Sequence, residues 1–141
     1  MKNIILFLLI IISSTCYCQL SEKSGLVYND AGELYTGICT EYYETGSPKI
    51  SMEFKNGIKD GQVLVYFEDG SPSKKYEYCQ TKLNGEFIEW NRMGEIIGIA
   101  RYLNGQKHGK WKIYDIHGDL TYEILYENGN KVNAYSIKKD L

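Results

Sequence analysis

The chain has 141 residues, 43% of them hydrophobic, with 16 basic and 18 acidic side chains and a formal charge of −2. That balance argues against nucleic acid or anionic lipid as a partner, since both call for a basic surface. The length suits one domain, and no charge block, low-complexity tract or linker divides it.

The N-terminus reads as a secretory signal peptide over residues 1–18. Lys2 is positive, Ile4 to Ile12 is an unbroken apolar run, and Cys16 and Cys18 stand at the −3 and −1 places before Gln19. Nine apolar residues are too few for a membrane anchor, which needs ~20. Lipidation is disfavoured, because Ser13 and Thr15 stand three places before Cys16 and Cys18, where a lipoprotein box has Leu. The expected product is an exported protein, periplasmic or secreted, cleaved near Cys18-Gln19. The mature domain is then 19–141, and loss of Lys2 takes the charge from −2 to −3.

Glycine recurs through this domain every 24 residues. Gly37, Gly61, Gly85 and Gly109 form one column; Gly46, Gly70, Gly94 and Gly118 form a second. Gly57, Gly105 and Gly129 form a third, in which Thr81 fills the missing place. Such register predicts a solenoid-like array of one small unit. Within a unit, the β-rich run Val63 to Phe67, the turn Glu68 to Ser71 and the run Lys74 to Cys79 make a hairpin. Asn56-Gly57, Asn104-Gly105 and Asn128-Gly129 suit primed two-residue turns between units. No helical periodicity is sustained.

Aromatic and apolar residues form columns too. Counted from the first-column glycine, position 2 holds Cys39, Val63, Phe87 and Trp111, and position 5 holds Tyr42, Tyr66, Trp90 and Tyr114. Position 15 holds Met52, Tyr76, Ala100 and Ile124, and position 17 holds Phe54, Tyr78, Tyr102 and Tyr126. Alternation puts positions 15 and 17 on one face, with Glu53, Lys75, Glu77, Arg101 and Glu123 on the other. Positions 2 and 5 have opposite parity, so the first strand is either bulged or apolar on both faces. Tyr28 to Gly32 predicts a shortened leading repeat, and a closing half-repeat strand is expected from about Ala134 to Lys138. Two strands are expected to lie between Cys39 and Cys79, roughly 14 Å, too far for a disulfide, with Cys39 largely buried.

Two segments, TGICTEYYETGSPKISMEFKNGIKDG and NGQKHGKWKIYDIHGDLTYEILYENG, resemble the MORN repeat, in particular the bacterial MORN-variant form of YwqK-type antitoxins. The resemblance spans about Tyr28 to Asn133. It implies an all-β, elongated antiparallel meander of about four 24-residue hairpin repeats with half-repeat caps. It also implies inhibition of a toxin partner.

No catalytic, cofactor or metal site is predicted, and the chain is not expected to be an enzyme. His108 and His117 read as exposed turn residues, and the DIHGD stretch at Asp115 to Asp119 reads as a turn. The expected activity is non-catalytic protein binding; nucleic acid and membrane are not expected partners. An immunity-like inhibitor of a toxin is the alternative. The candidate partner-binding residues are Tyr42, Tyr43, Tyr66, Phe67 and Trp90, because tyrosine and tryptophan dominate interface hot spots. Tyr43 and Phe67 are large where later repeats have Asn91 and Asp115, which marks the N-terminal end as the more apolar.

Overall fold

A computed structural model describes residues 20–137; the expected signal peptide at 1–18 and Lys138 lie outside them. The described residues contain strands and turns and no helix. A leading hairpin pairs β1 (Ser21–Lys23) with β2 (Leu26–Tyr28). Four long hairpins follow: β3 (Gly37–Tyr42) with β4 (Pro48–Lys55), β5 (Ile58–Tyr66) with β6 (Pro72–Cys79), β8 (Gly85–Trp90) with β9 (Ile96–Leu103), and β11 (Gly109–Tyr114) with β12 (Leu120–Glu127). The short β7 (Lys82–Leu83) and β10 (Gln106–Lys107) pair with β6 and β9, and β13 (Asn130–Ser136) closes the series on β12.

Apart from the leading hairpin, these strands form one antiparallel sheet of 11, ordered β13-β12-β11-β9-β8-β6-β5-β4-β3. The sheet is open. Each unit hydrogen-bonds to the side of the last and adds width to one layer, so the repeats do not coil into a closed solenoid. β13 starts at Asn130, four residues before the expected start of the closing strand, because the Asn128-Gly129 turn pairs Glu127 directly with Asn130.

Two kinds of turn make two rims. On the first rim, two-residue turns carry positive φ at both places: Asn56 and Gly57 at 49° and 77°, Asn104 and Gly105 at 50° and 83°, Asn128 and Gly129 at 49° and 82°. Both residues tolerate this region, and its twist suits a hairpin. Gln80 and Thr81 hold the same conformation, at 48° and 70°. A β-branched residue there is strained. Every one of these turns is tied to the unit before it. The N–H groups of Gly57, Thr81, Gly105 and Gly129 donate to the carbonyls of Tyr35, Lys59, Leu83 and Lys107, at 2.7–2.9 Å. On the second rim, wider turns at Tyr43–Ser47, Phe67–Ser71, Asn91–Glu95 and Asp115–Asp119 close with the second-column glycines at φ 78–86°.

Each hairpin carries a bulge at the end of its first strand, and the extra residue belongs to the second strand. In all four hairpins position 4 pairs with position 13 but position 5 pairs with position 11, so Lys49, Ser73, Ile97 and Thr121 are each one residue too many. A repeated bulge adds twist and turns the wide rim. Up to that point alternation is strict. Positions 2, 4, 13, 15 and 17 share the aromatic face, and the charged residues named above share the other.

Among the described residues no second layer covers either face. The buried ones are Gly57 and two with side chains, Val63 and Ala100, at 0% and 7% exposure. Cys39 is half-buried rather than largely buried, because no second layer lies over β3. Cys79 is exposed, and β4 and β5 separate the two, as the register implied. The terminal strands are blunted by side chains. Tyr35 Oη donates to the Ile38 carbonyl of β3, and Asn133 Oδ1 accepts the Ala134 N–H of β13. Main-chain groups occupied in this way are poor templates for another chain.

Gly61 shows why the first column is glycine. It sits at φ 126°, and an added Cβ would fall 2.7 Å from Glu53 Cβ and closer still to the Glu53 carboxylate. That carboxylate accepts the Gln62 N–H at 3.0 Å, so it is not free to leave. At Gly70, φ is 85° but nothing lies within 4 Å. Gly61→Ala should therefore cost about 2–4 kcal/mol and Gly70→Ala only about 1 kcal/mol, read by urea unfolding.

Thr81 gives the converse prediction. Strain of ~1–3 kcal/mol at positive φ outweighs the ~0.5–1 kcal/mol entropic penalty of glycine. Thr81→Gly should raise stability by about 1 kcal/mol in the same measurement.

Candidate binding face

The five residues singled out from sequence fall along the wide rim and the strand ends beside it. They do not form an open platform. Tyr42 is exposed at 38%, while Tyr43, Tyr66, Phe67 and Trp90 are half-buried. Tyr43 Oη donates to the Tyr66 carbonyl at 2.8 Å, and the Lys49 ammonium lies 5.9 Å from its ring. Phe67 lies beneath Arg92, with the guanidinium 4.9 Å from the ring centroid. Ser47 Oγ donates to the Glu68 carbonyl at 2.7 Å. Each of these two turns thus leans on the next one. In the later repeats the same position caps its own turn instead. Asn91 Oδ1 accepts the N–H groups of Met93 and Glu95, and Asp115 Oδ1 those of His117 and Asp119. This is local Asx chemistry. It accounts for DIHGD without an acid–base role.

His117 is exposed in that turn, as expected, but His108 is half-buried before Gly109 and its Nδ1 is enclosed without a hydrogen-bond partner. The strand β11 begins beside it and leaves it less room than a loop would. Among the described residues no group of three or more His, Cys, Asp or Glu is placed to hold a metal ion.

The opposite surface is the aromatic face. Its rings run unbroken across β6, β8, β9, β11 and β12. Tyr78 meets Tyr76 at 6.0 Å, Tyr76 stacks on Phe87 at 5.6 Å, and Phe87 meets Tyr102 at 6.4 Å. Tyr102 then meets Trp111 at 5.2 Å, and Trp111 meets Tyr126 at 5.0 Å. Lys107 sits over both Trp111 and Tyr126, at 4.4 and 5.0 Å from their centroids. Lys59 lies 5.8 Å from the Tyr78 ring. Burial raises the Tyr76 and Tyr102 hydroxyls above the usual tyrosine pKa, and the neighbouring Tyr78 and Tyr126 push them the same way.

Between β8, β9 and β11 this face opens into an apolar groove of about 630 Å³. Gly98 and Ala100 form its floor; Phe87, Tyr102, Trp111 and Ile113 form its walls. Ile113 and Ile116 are 44% and 68% exposed beside it. Exposed large apolar residues thus occur at both ends, with Leu34, Ile38 and Tyr42 towards the N-terminus and Ile113 and Ile116 around this groove. The large rings at Tyr43 and Phe67 are partly spent on neighbouring turns.

With this geometry the chain can be compared with known families. Residues 35–56 and 107–128 match the MORN repeat variant. The two matches start 72 residues apart, three repeat lengths. Each runs from the residue whose carbonyl takes the narrow-rim hydrogen bond, Tyr35 or Lys107, to the asparagine of the next narrow turn, Asn56 or Asn128. One MORN-variant match is thus one hairpin with its wide turn. No curated protein matches the chain.

The raised tyrosines give a pH prediction. Below about pH 10 they are neutral whether folded or not, and their burial contributes in full. Above it the unfolded chain releases protons that the native ladder holds, so stability falls as pH rises through the native values. The melting temperature should drop above about pH 10. The drop should be shallower in the double variant Tyr76→Phe, Tyr102→Phe.

Proposed function

We propose that this chain is an exported, non-catalytic repeat module that binds a protein. The observation that supports this most is the apolar groove on an aromatic face that no second layer of the described residues covers. Contiguous exposed apolar surface of this kind marks interaction sites. The MORN-variant hairpins at 35–56 and 107–128 support a repeat module. Export is supported by Lys2, the Ile4 to Ile12 run and the small-residue places before Gln19. A toxin is one class of partner, suggested by the resemblance to YwqK-type antitoxins; rescue of cells from a co-expressed exported toxin would distinguish an inhibitor from a general scaffold.

A photo-reactive amino acid at Ile113, Tyr42 or Glu77 samples the groove, the wide rim and the charged face in turn. In the native envelope, the expected result is one discrete adduct from Ile113 and none from Glu77. An adduct from Tyr42 alone would move the partner to the rim residues. No adduct from any position would contradict the binding reading, and intact mass of the purified protein should show a chain beginning near Gln19.

A further inference from the structure

Thirteen of the 14 glycines hold positive φ; Gly98 is the exception. It lies in the middle of β9, belongs to no column, and an added Cβ would meet only ordinary contacts, Glu89 Cβ at 3.8 Å and the Lys112 carbonyl at 4.0 Å. Backbone geometry therefore does not require glycine here. What glycine supplies is space. Its equivalents in the other hairpins are Ile50, Lys74 and Tyr122, and the equivalents of Ala100 are Met52, Tyr76 and Ile124. The third repeat alone is small at both positions.

The repeat supplies its own template for what fits. One unit earlier, Tyr76 pairs across to Val63 on β5 and stacks on Phe87 of β8 with an interplanar angle of 18°. Ala100 pairs with Phe87 on β8, and the β9–β11 register carries the same row on to Trp111. Phe87 and Trp111 thus stand two strands apart, about 10 Å, with only Ala100 between them at this row, while Tyr102, two residues along β9, touches both rings at 6.4 and 5.2 Å and bounds one end of the space. A ring inserted there meets both at ordinary stacking separations. We propose that the slot between Phe87 and Trp111, floored by Gly98 and Ala100, receives an aromatic side chain of a protein partner, in the place that Tyr76 fills one repeat earlier. This rests on the protein-binding reading above and names the chemistry of its anchor.

The probe is p-cresol, the tyrosine side chain as a free molecule, with isopentanol as an aliphatic control. Titration followed by amide NMR should give saturable shifts centred on Gly98, Ala100 and Trp111 with p-cresol and much weaker ones with isopentanol. Ala100→Tyr, which copies Tyr76, should fold and weaken the p-cresol response about tenfold or more. Gly98→Ile, which copies Ile50, tests the same slot if the tyrosine variant does not fold. Equal responses to the two alcohols, or an undiminished p-cresol response in the filled variant, would overturn the slot. An envelope adduct from Ile113 that survives slot filling would overturn the slot and leave the module reading standing. Slot binding of p-cresol with no adduct from any position would overturn the module reading instead.

Discussion

Each first-column glycine lies directly opposite an aromatic residue: Gly37 against Phe54, Gly61 against Tyr78, Gly85 against Tyr102 and Gly109 against Tyr126. The rest of the structure depends on this pairing. All four glycines hold positive φ, from 68° to 151°, which another residue would hold only under strain, and the ring paired across from each supplies packing that glycine itself lacks. Stacking then crosses between units at two places, Tyr76 on Phe87 and Tyr102 against Trp111. A single-layer sheet has no core in the usual sense, so lateral stacking must replace the burial that a second layer would provide. The buried pair Val63 and Ala100 are small residues beneath that row.

The narrow rim adds the second lateral tie. The carbonyl two residues before each column glycine, at the end of the preceding unit, binds the turn that ends the unit this glycine begins, and the side chain on that residue, where it is Tyr35, Lys59 or Lys107, covers the ring at position 17. Every tie links neighbours only. Stability in such an array is a sum of unit and nearest-neighbour terms. A unit can therefore carry a defect, such as the Gly98 and Ala100 gap, without losing its neighbours' register. The surface that could bind is available because the scaffold does not need it filled.

Much of the fold was legible because its period is written in the residues. Glycine columns fixed the unit length, and Asn-Gly pairs fixed the narrow turns. The bulge was not decidable, since the parity of Val63 and Tyr66 fits a bulged strand or a doubly apolar one equally well. The rim residues were legible as large but not as half-buried. Tyr43 and Phe67 replace an Asx cap with a contact to the next turn, and that contact exists only once the units stack. The groove left one clue, a glycine outside every column. Column reasoning rewards what repeats, and Gly98 matters because it does not.

The central claim is that units are exchangeable only in whole steps of 24 residues. Removing residues 85–108 joins Asn84 to Gly109 and keeps every ring on its face. Removing one residue fewer, 85–107, turns all later side chains to the opposite face. Far-UV circular dichroism with urea unfolding measures both. The account predicts that the first deletion folds, with an m-value lower by about one-fifth in proportion to surface buried, and that the second loses its cooperative transition. Equal stability of the two, or collapse of the first, would contradict it.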